Sequence, residues 1–317
     1  MANYITSLNQ MIAARCAKVP RGVLFGQNIN TGTFISGLSK NLTVAEGGRI
    51  INNANCENTL CGAGFGMMLG GVHAVYFAKQ LDFMLLGMDH FCNTFNFIRC
   101  SRNLESLGSF QIIMLVCDQG FQGPQSSFDS YGDFCSIARI PCYTLNNNRD
   151  AEDILDMQLA VPGFRMIALS SRLCRTEFLQ LEKVYRSDDC SVFQYTEGAD
   201  ATIVGFNFAF HEGHLLFQKM QERGLSAELF SANYVPEPSW DRIIESVART
   251  RRLVVLDDSK SVHLPCYQLL DAIHEAGISF RRVIVTRKQV DFGMTDDKFP
   301  VDYEGIVSQL AAAPSPV

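Results

Sequence analysis

The stretch Glu57-Asn-Thr-Leu-Cys-Gly-Ala-Gly-Phe-Gly-Met-Met-Leu-Gly70-Gly-Val-His-Ala-Val-Tyr-Phe-Ala78 holds the pattern that decides the fold. Within it, Thr59–Ala78 has twenty residues without a formal charge, which is long enough to suggest a membrane-spanning helix. Five glycines interrupt this run, and the pair Gly70-Gly71 should end a helix. The stretch therefore predicts a buried helix followed by a buried strand over Ala74–Ala78.

Apolar runs of strand length alternate with helical runs along the rest of the chain, as parallel α/β sheets require. The predicted strands are Gly22–Gly26, Ala74–Ala78, Gln111–Cys117, Cys142–Leu145, Arg165–Leu169, Ala201–Gly205, Ala227–Ser231, Leu253–Asp257 and Arg281–Thr286. The predicted helices are Thr6–Lys18, Glu57–Gly70, Phe83–Ile98, Tyr131–Arg139, Asp150–Leu159, His211–Gly224, Pro238–Thr250 and Val262–Ala276. We expect two three-layer α/β domains with mainly parallel sheets, at 1–185 and 200–317, joined by a polar, turn-rich linker at 186–199.

Composition excludes several classes of function. The 317 residues carry a net charge of −6, which argues against nucleic acid as a partner. The first residues have neither a basic nor an apolar segment of a signal peptide, and the eleven cysteines form no C-x-x-C pair, so we expect reduced thiols in a cytoplasmic protein. His211 and His214 share a helix face but lack a third ligand, so we expect no metal site and treat both as surface residues.

Glu57 is the first candidate for chemistry. No formal charge occurs in the six positions before it or in the twenty-one after it, which predicts burial. An acid in the first turn of a helix can simply favour the helix dipole. A buried lone carboxylate, however, needs a partner or a raised pKa, and that is typical of a functional site. No phosphate-binding glycine loop, nucleophile elbow or zinc-protease motif accompanies it.

The order of motifs resembles the transketolase superfamily. Glu57 with its glycine-rich helix, then Gly71-Val-His-Ala-Val-Tyr-Phe77 and Phe83-Met-Leu-Leu-Gly-Met-Asp-His90, is similar to the pyrimidine-binding domain of that family. The half that starts at Ala199-Asp-Ala-Thr-Ile-Val-Gly205 is similar to the transketolase C-terminal domain. The opening, with Val23-Leu-Phe-Gly26 and Gly32-Thr-Phe-Ile-Ser-Gly37, looks most like the beta subunits of 2-oxo acid dehydrogenases.

The resemblance implies roles for three residues. Glu57 would hydrogen-bond N1′ of the aminopyrimidine of thiamine diphosphate and favour its imino tautomer. Phe83 lies where the family places an aromatic ring that stacks on the aminopyrimidine. Asn55, two residues before Glu57, is a further cofactor-binding candidate. His90, after Asp89, has a structural role in this interpretation.

The resemblance also implies a partner. In this family the diphosphate and its Mg²⁺ are held by a domain with a Gly-Asp-Gly…Asn motif, and this chain contains no Gly-Asp-Gly. An alpha-type subunit should therefore bring both groups, in an α2β2 assembly. A lipoyl carrier is a further implied partner, and no nucleic acid or membrane is expected.

The chain departs from the family in its substrate loop and in its second half. The loop Gln122-Gly-Pro-Gln-Ser-Ser-Phe-Asp-Ser-Tyr131 lacks the family's histidine, and Ser126, Ser127 or Asp129 would take its place. The segment Ser231-Ala-Asn-Tyr-Val-Pro236 lacks an arginine, and Asp291-Phe-Gly-Met-Thr replaces a proline-rich docking segment. We rank 2-oxo acid decarboxylation with acyl transfer above two-carbon ketol transfer by a split transketolase. A non-catalytic scaffolding relative is the third hypothesis.

Overall fold

The computed structural model describes residues 3–118, 123, 129–287 and 299–311. It divides between residues 180 and 181 into two compact units. The strands of the first unit are β1 Gly22–Gly26, β2 Arg49–Asn52, β3 His73–Ala78, β4 Ser109–Val116, β5 Cys142–Thr144 and β6 Gly163–Ser170. Its helices are α1 Tyr4–Cys16, α2 Glu57–Leu69, α3 Phe95–Ser101, α4 Tyr131–Ala138 and α5 Asn148–Gln158.

The first unit is a parallel sheet with the strand order β2-β1-β3-β4-β6-β5. The strands β3, β4 and β6 are buried on both faces, as their apolar runs predict. A cluster of stacked and edge-on phenylalanines lies between the sheet and α2. Gly64 makes this packing possible, because a Cβ there would lie 2.4 Å from the ring of Phe110.

The second unit repeats the architecture around another six-stranded sheet, in the order β12-β11-β9-β10-β8-β7. Its strands are β7 Tyr185–Arg186, β8 Val192–Gln194, β9 Ala201–Phe206, β10 Ala227–Ala232, β11 Arg252–Asp257 and β12 Arg281–Thr286. Its helices are α6 Phe210–Glu222, α7 Asp241–Thr250, α8 Cys266–Glu275 and α9 Tyr303–Ala311. Four strands run parallel, while β7 and β8 add an antiparallel edge.

The fold class and the principal predicted strands agree with the structure, but several local features differ. The helix predicted over Phe83–Ile98 is instead a 3-10 turn at Leu81–Gly87, a π turn at His90–Thr94 and the short α3. The reason is close packing on α2: a Cβ at Gly87 would lie 2.6 Å from the Cys61 Sγ. The four-residue β2 and the helix α9 were not predicted.

The predicted linker contains structure. Both β7 and β8 fall within or beside 186–199, and they belong to the second sheet. The polar residues between them form a tight turn in which the Asp189 carboxylate accepts from the Ser191 N–H at 2.9 Å. The turn of an edge hairpin is thus as polar and as rich in turn-forming residues as a linker, and the sequence alone does not distinguish the two.

The eleven cysteines all lie within the described residues and form no disulfide bond; seven of them are buried, whereas Cys56 and Cys100 are exposed. In the described part of the chain, no helix has both the length and the apolarity needed to cross a membrane.

Candidate functional site

The carboxyl edge of the first sheet gathers the predicted site segments. Glu57 follows β2, Phe83 follows β3 and Asp129 follows β4, and because these strands are parallel, all three segments leave the sheet at one edge. The chain leaves β1 towards β2 and leaves β3 towards β4, in opposite directions along the sheet. Ligands of open α/β sheets bind at such a switch point.

Close backbone packing shapes this edge. Gly26 ends β1 with a φ of +153°, and a Cβ there would lie 2.4 Å from the carbonyl oxygen of Phe77. Only glycine fits, because any side chain would collide with the neighbouring strand. The Asn53 N–H donates to the Gly26 carbonyl at 3.0 Å, which fixes the segment that leads into α2.

Glu57 is the first residue of α2, and only 5% of its surface is exposed. Its side chain makes no hydrogen bond to any residue that the structure describes. The N-terminus of α2 favours its negative charge. Burial, followed by the charge of Glu57, raises the pKa of the Cys61 thiol to about 12. The predicted burial of Glu57 is therefore confirmed, and its carboxylate has open hydrogen-bonding capacity.

The segment that carries Phe83 is tied directly to the first turn of α2. The side-chain amide of Asn58 donates to the Leu86 carbonyl at 3.1 Å. Phe83 is half-buried and contacts no other aromatic ring among the described residues. The structure thus brings the segments of Glu57 and Phe83 together, whereas Asn55 lies exposed before the helix.

The substrate-loop candidates are placed only in part. Asp129 is fully buried just before α4, and Ser126 and Ser127 lie outside the described residues. Asp118, which follows β4, is also fully buried. It accepts from the Ser170 hydroxyl at 2.5 Å and from the Arg172 N–H at 2.9 Å, so it joins the ends of β4 and β6.

The histidines take no part in a metal site in the part of the chain that can be described, which holds no cluster of three or more His, Cys, Asp or Glu side chains. The ring of His90 packs on Gly62, and its Nδ1 lies 3.1 Å from the Thr94 hydroxyl. His211 and His214, predicted as surface residues, are half-buried on α6, and burial lowers the pKa of His214.

Sequence reasoning missed Tyr76, a residue of β3 whose phenol is close enough to Glu57 for the two groups to interact electrostatically. It is 3% exposed, and its pKa is raised by burial and then by the nearby Cys61, Glu57 and Cys56. The available signal was a single phenol within the apolar run Ala74–Ala78.

Comparison with known proteins agrees with this architecture. The chain is 21% identical over 295 residues to the mitochondrial pyruvate dehydrogenase E1 component subunit beta-1 of Arabidopsis thaliana, covering 89% of this chain and 79% of the relative. A solved split-gene transketolase, an inactive β4 tetramer, superposes with a TM-score of 0.71 at 13% identity, over 96% of this chain and 95% of the other. No protein-family model matches. The chain is therefore similar in sequence to the beta subunit of pyruvate dehydrogenase and shares the fold of the split-gene transketolase.

Proposed function

We propose that this chain is the beta-type subunit of a two-chain, thiamine-diphosphate-dependent enzyme that cleaves a carbon–carbon bond beside a carbonyl. The observation that carries the proposal is Glu57: a buried carboxylate at a switch point, with no hydrogen bond from the described part of its own chain. Burying a carboxylate costs free energy unless it is hydrogen-bonded. A ligand that donates a hydrogen bond would remove that cost.

The residues present fit the aminopyrimidine half of the cofactor. Glu57 offers an acceptor for a ring N–H, and Phe83 offers a half-buried ring on the adjoining segment. The sequence has no Gly-Asp-Gly motif for the diphosphate and Mg²⁺. The proposed division of labour therefore assigns the pyrimidine to this chain, and the diphosphate and metal to an alpha-type partner.

Each residue has a definite task in this proposal. When bound, thiamine diphosphate supplies the carbon nucleophile that attacks the carbonyl. The Glu57 carboxylate holds a proton at N1′ and so controls the tautomer of the aminopyrimidine. Phe83 stacks on the ring and excludes water, which strengthens the charged hydrogen bond of Glu57. Ser126, Ser127 and Asp129 are proposed to face the substrate.

The outer face of α2 is the proposed contact with the partner. The exposed positions Asn58, Thr59, Ala63 and Gly66 carry no charge, and Leu85 and Leu86 are 52% and 61% exposed on the turn beside it. Exposed apolar surface of this kind is typical of interfaces. We expect Ala63→Glu to prevent partner binding, whereas Leu215→Glu, a matched change on an exposed position of α6, leaves it intact.

The second part of the proposal concerns the type of reaction. It depends on the predicted substrate loop, residues 122–131. The absence of a histidine in 122–131 separates this chain from the usual dehydrogenase pattern and keeps ketol transfer by a split transketolase as the alternative. Both 2-oxo acids and ketose phosphates should therefore be tested as substrates. An α2β2 assembly and a cytoplasmic location belong to both forms of the proposal, whereas a lipoyl carrier belongs to the dehydrogenase-like form.

The decisive experiment is co-purification with the product of the adjacent gene, followed by calorimetric titration of thiamine diphosphate and Mg²⁺. We expect binding by the mixture and not by either chain alone, and weaker binding when the mixture contains Glu57→Gln. Binding by this chain alone would contradict the shared site. A folded mixture without any binding would favour the non-catalytic scaffolding hypothesis.

A further inference from the structure

A row of aromatic rings under α2 ends at the carboxyl edge in Tyr76. Phe65 on α2 lies edge-on to Phe110 with ring centroids 5.0 Å apart, Phe110 stacks with Phe25 at 6.3 Å, and Phe25 stacks with Tyr76 at 5.2 Å. The strand register places Phe25 beside Tyr76. The row therefore fixes the face of the sheet on which Tyr76 lies, which is the face that α2 covers.

The same face receives the buried side of α2. Glu57, Cys61 and Phe65 follow one another at four-residue spacing, and all three are buried. Residues at this spacing lie on one side of a helix. Phe65 meets Phe110, which lies beside Ala74, two residues before Tyr76 on the strand. Glu57, two turns nearer the carboxyl edge, therefore lies towards the Tyr76 end of the row.

The two groups have complementary chemistry. Burial is the largest cause that raises the pKa of Tyr76, and the nearby Cys61 and Glu57 raise it further, so the phenol keeps its proton at neutral pH. The Tyr76 hydroxyl makes no hydrogen bond with any described residue, and neither does the Glu57 carboxylate. A protonated phenol is a donor, and a carboxylate is an acceptor.

We propose that Tyr76 is a positioning residue for Glu57. Its hydroxyl donates through one bridging water molecule to one carboxylate oxygen, and this leaves the other oxygen directed at the switch point. The stacking on Phe25 fixes the ring, so the donor is rigid. The inference deepens the proposed function, because the oriented carboxylate has a role only if the cofactor binds there. The contact between Tyr76 and Glu57, however, lies within this one chain and can be tested without a partner.

Other nearby donors fit this role less well. The Cys56 thiol is exposed and lies 3.7 Å from the Ala54 carbonyl. The Cys61 thiol is a weak donor. His90 contacts Gly62, more than one turn after Glu57, and already pairs with Thr94.

The test uses the full chain labelled with ¹³C at the glutamate carboxyl groups. The Glu57 resonance is assigned by its loss in Glu57→Gln. We expect Tyr76→Phe to move this resonance while the melting temperature stays close to that of the wild type, because phenylalanine keeps the stacking. The control Tyr195→Phe removes a phenol that is 5% exposed in the second unit and should leave the resonance in place. An unchanged resonance in Tyr76→Phe would overturn the proposal.

A second measurement separates this inference from the proposed function. In the mixture that binds thiamine diphosphate, we expect Tyr76→Phe to raise the dissociation constant about tenfold, as loss of a hydrogen bond to a charged group would. Equal affinity of wild type and Tyr76→Phe, with weaker binding by Glu57→Gln, would overturn the positioning role. If no mixture binds the cofactor, the proposed function fails, and the carboxyl resonance still decides whether Tyr76 holds Glu57.

Discussion

Each unit buries a carboxylate at the carboxyl edge of its parallel strands, and the two acids differ in what their own chain offers them. Asp257, at the end of β11, accepts from the Ser259 N–H at 3.1 Å and from the Cys266 N–H at 3.3 Å. Glu57 lies inside the first turn of α2 and accepts no hydrogen bond from a described residue. The first acid is satisfied internally, whereas the second remains available to a ligand.

This comparison shows that a perturbed pKa alone does not identify a functional site. Burial raises the pKa of Asp257 to about 6, against the opposing effect of its backbone hydrogen bonds. Yet this carboxylate accepts from the N–H of Cys266, the first residue of α8, and so has a structural role. Unused hydrogen-bonding capacity distinguishes Glu57 better, because a carboxylate that accepts nothing from the described part of its own chain remains available to a ligand.

The largest expected effect is a loss of activity on substitution of Glu57, the acid that is available to a ligand. Glu57→Gln should lower the cofactor-dependent activity of the complete complex by about 10²–10⁴-fold, because the amide cannot hold the proton at N1′. Steady-state kinetics on the purified complex measures it. The control Asp257→Asn should keep the activity, and equal losses in both variants would contradict the assignment of separate roles.

The pH dependence of the free energy of unfolding should show the raised pKa of the buried Asp257 carboxyl group. Its folded pKa of about 6 lies above the unfolded value near 3.8, so its stabilising contribution is present below pH 4 and is lost as the pH rises through 6. Between pH 4 and 7, Asp257→Asn should therefore gain about 3 kcal/mol relative to the wild type.

Urea unfolding followed by fluorescence provides this measurement. Trp240 is the single tryptophan of the chain and packs on Phe206 in the second unit, so it reports on the unit that contains Asp257. Glu57→Gln in the first unit serves as the control. A stability difference between Asp257→Asn and the wild type that does not change with pH would disprove this assignment.

A smaller effect distinguishes the two faces of α2. Gly64→Ala places a methyl group 2.4 Å from the Phe110 ring and should destabilise the first unit by about 1–3 kcal/mol through overpacking. Thermal unfolding followed by far-UV circular dichroism measures the loss. A variant as stable as the wild type would contradict the close packing between α2 and β4.

The smallest effect is expected on the outer face of the same helix. At Gly66 an added Cβ meets no atom within 4 Å, so Gly66→Ala should stabilise the isolated chain by about 0.5–1 kcal/mol through helix propensity. The same melting experiment checks it, with Gly64→Ala as the matched variant. A loss of stability at Gly66 would show that this face is covered within the chain.

The sequence by itself determined the periodic and chemical features of this protein. The apolar runs of β3, β4 and β11 are long enough to predict parallel strands, and the uncharged surroundings of Glu57 predict its burial. The motif order also indicates the resemblance to the transketolase superfamily, because it follows the chain and needs no knowledge of contacts. The segment expected as a linker, 186–199, instead contributes to an edge of the second sheet, and the two compact units divide between residues 180 and 181.

Only the tertiary structure decided what these elements bring together. The close approach of Cys61 and Gly87 breaks the helix expected over Phe83–Ile98, since local propensity cannot register contact with another helix. The four residues of β2 are too few for a periodic signal, and pairing with β1 makes them a strand. Likewise, Tyr76 and Glu57 are nineteen positions apart in sequence, and only the packing of α2 on the sheet makes them neighbours.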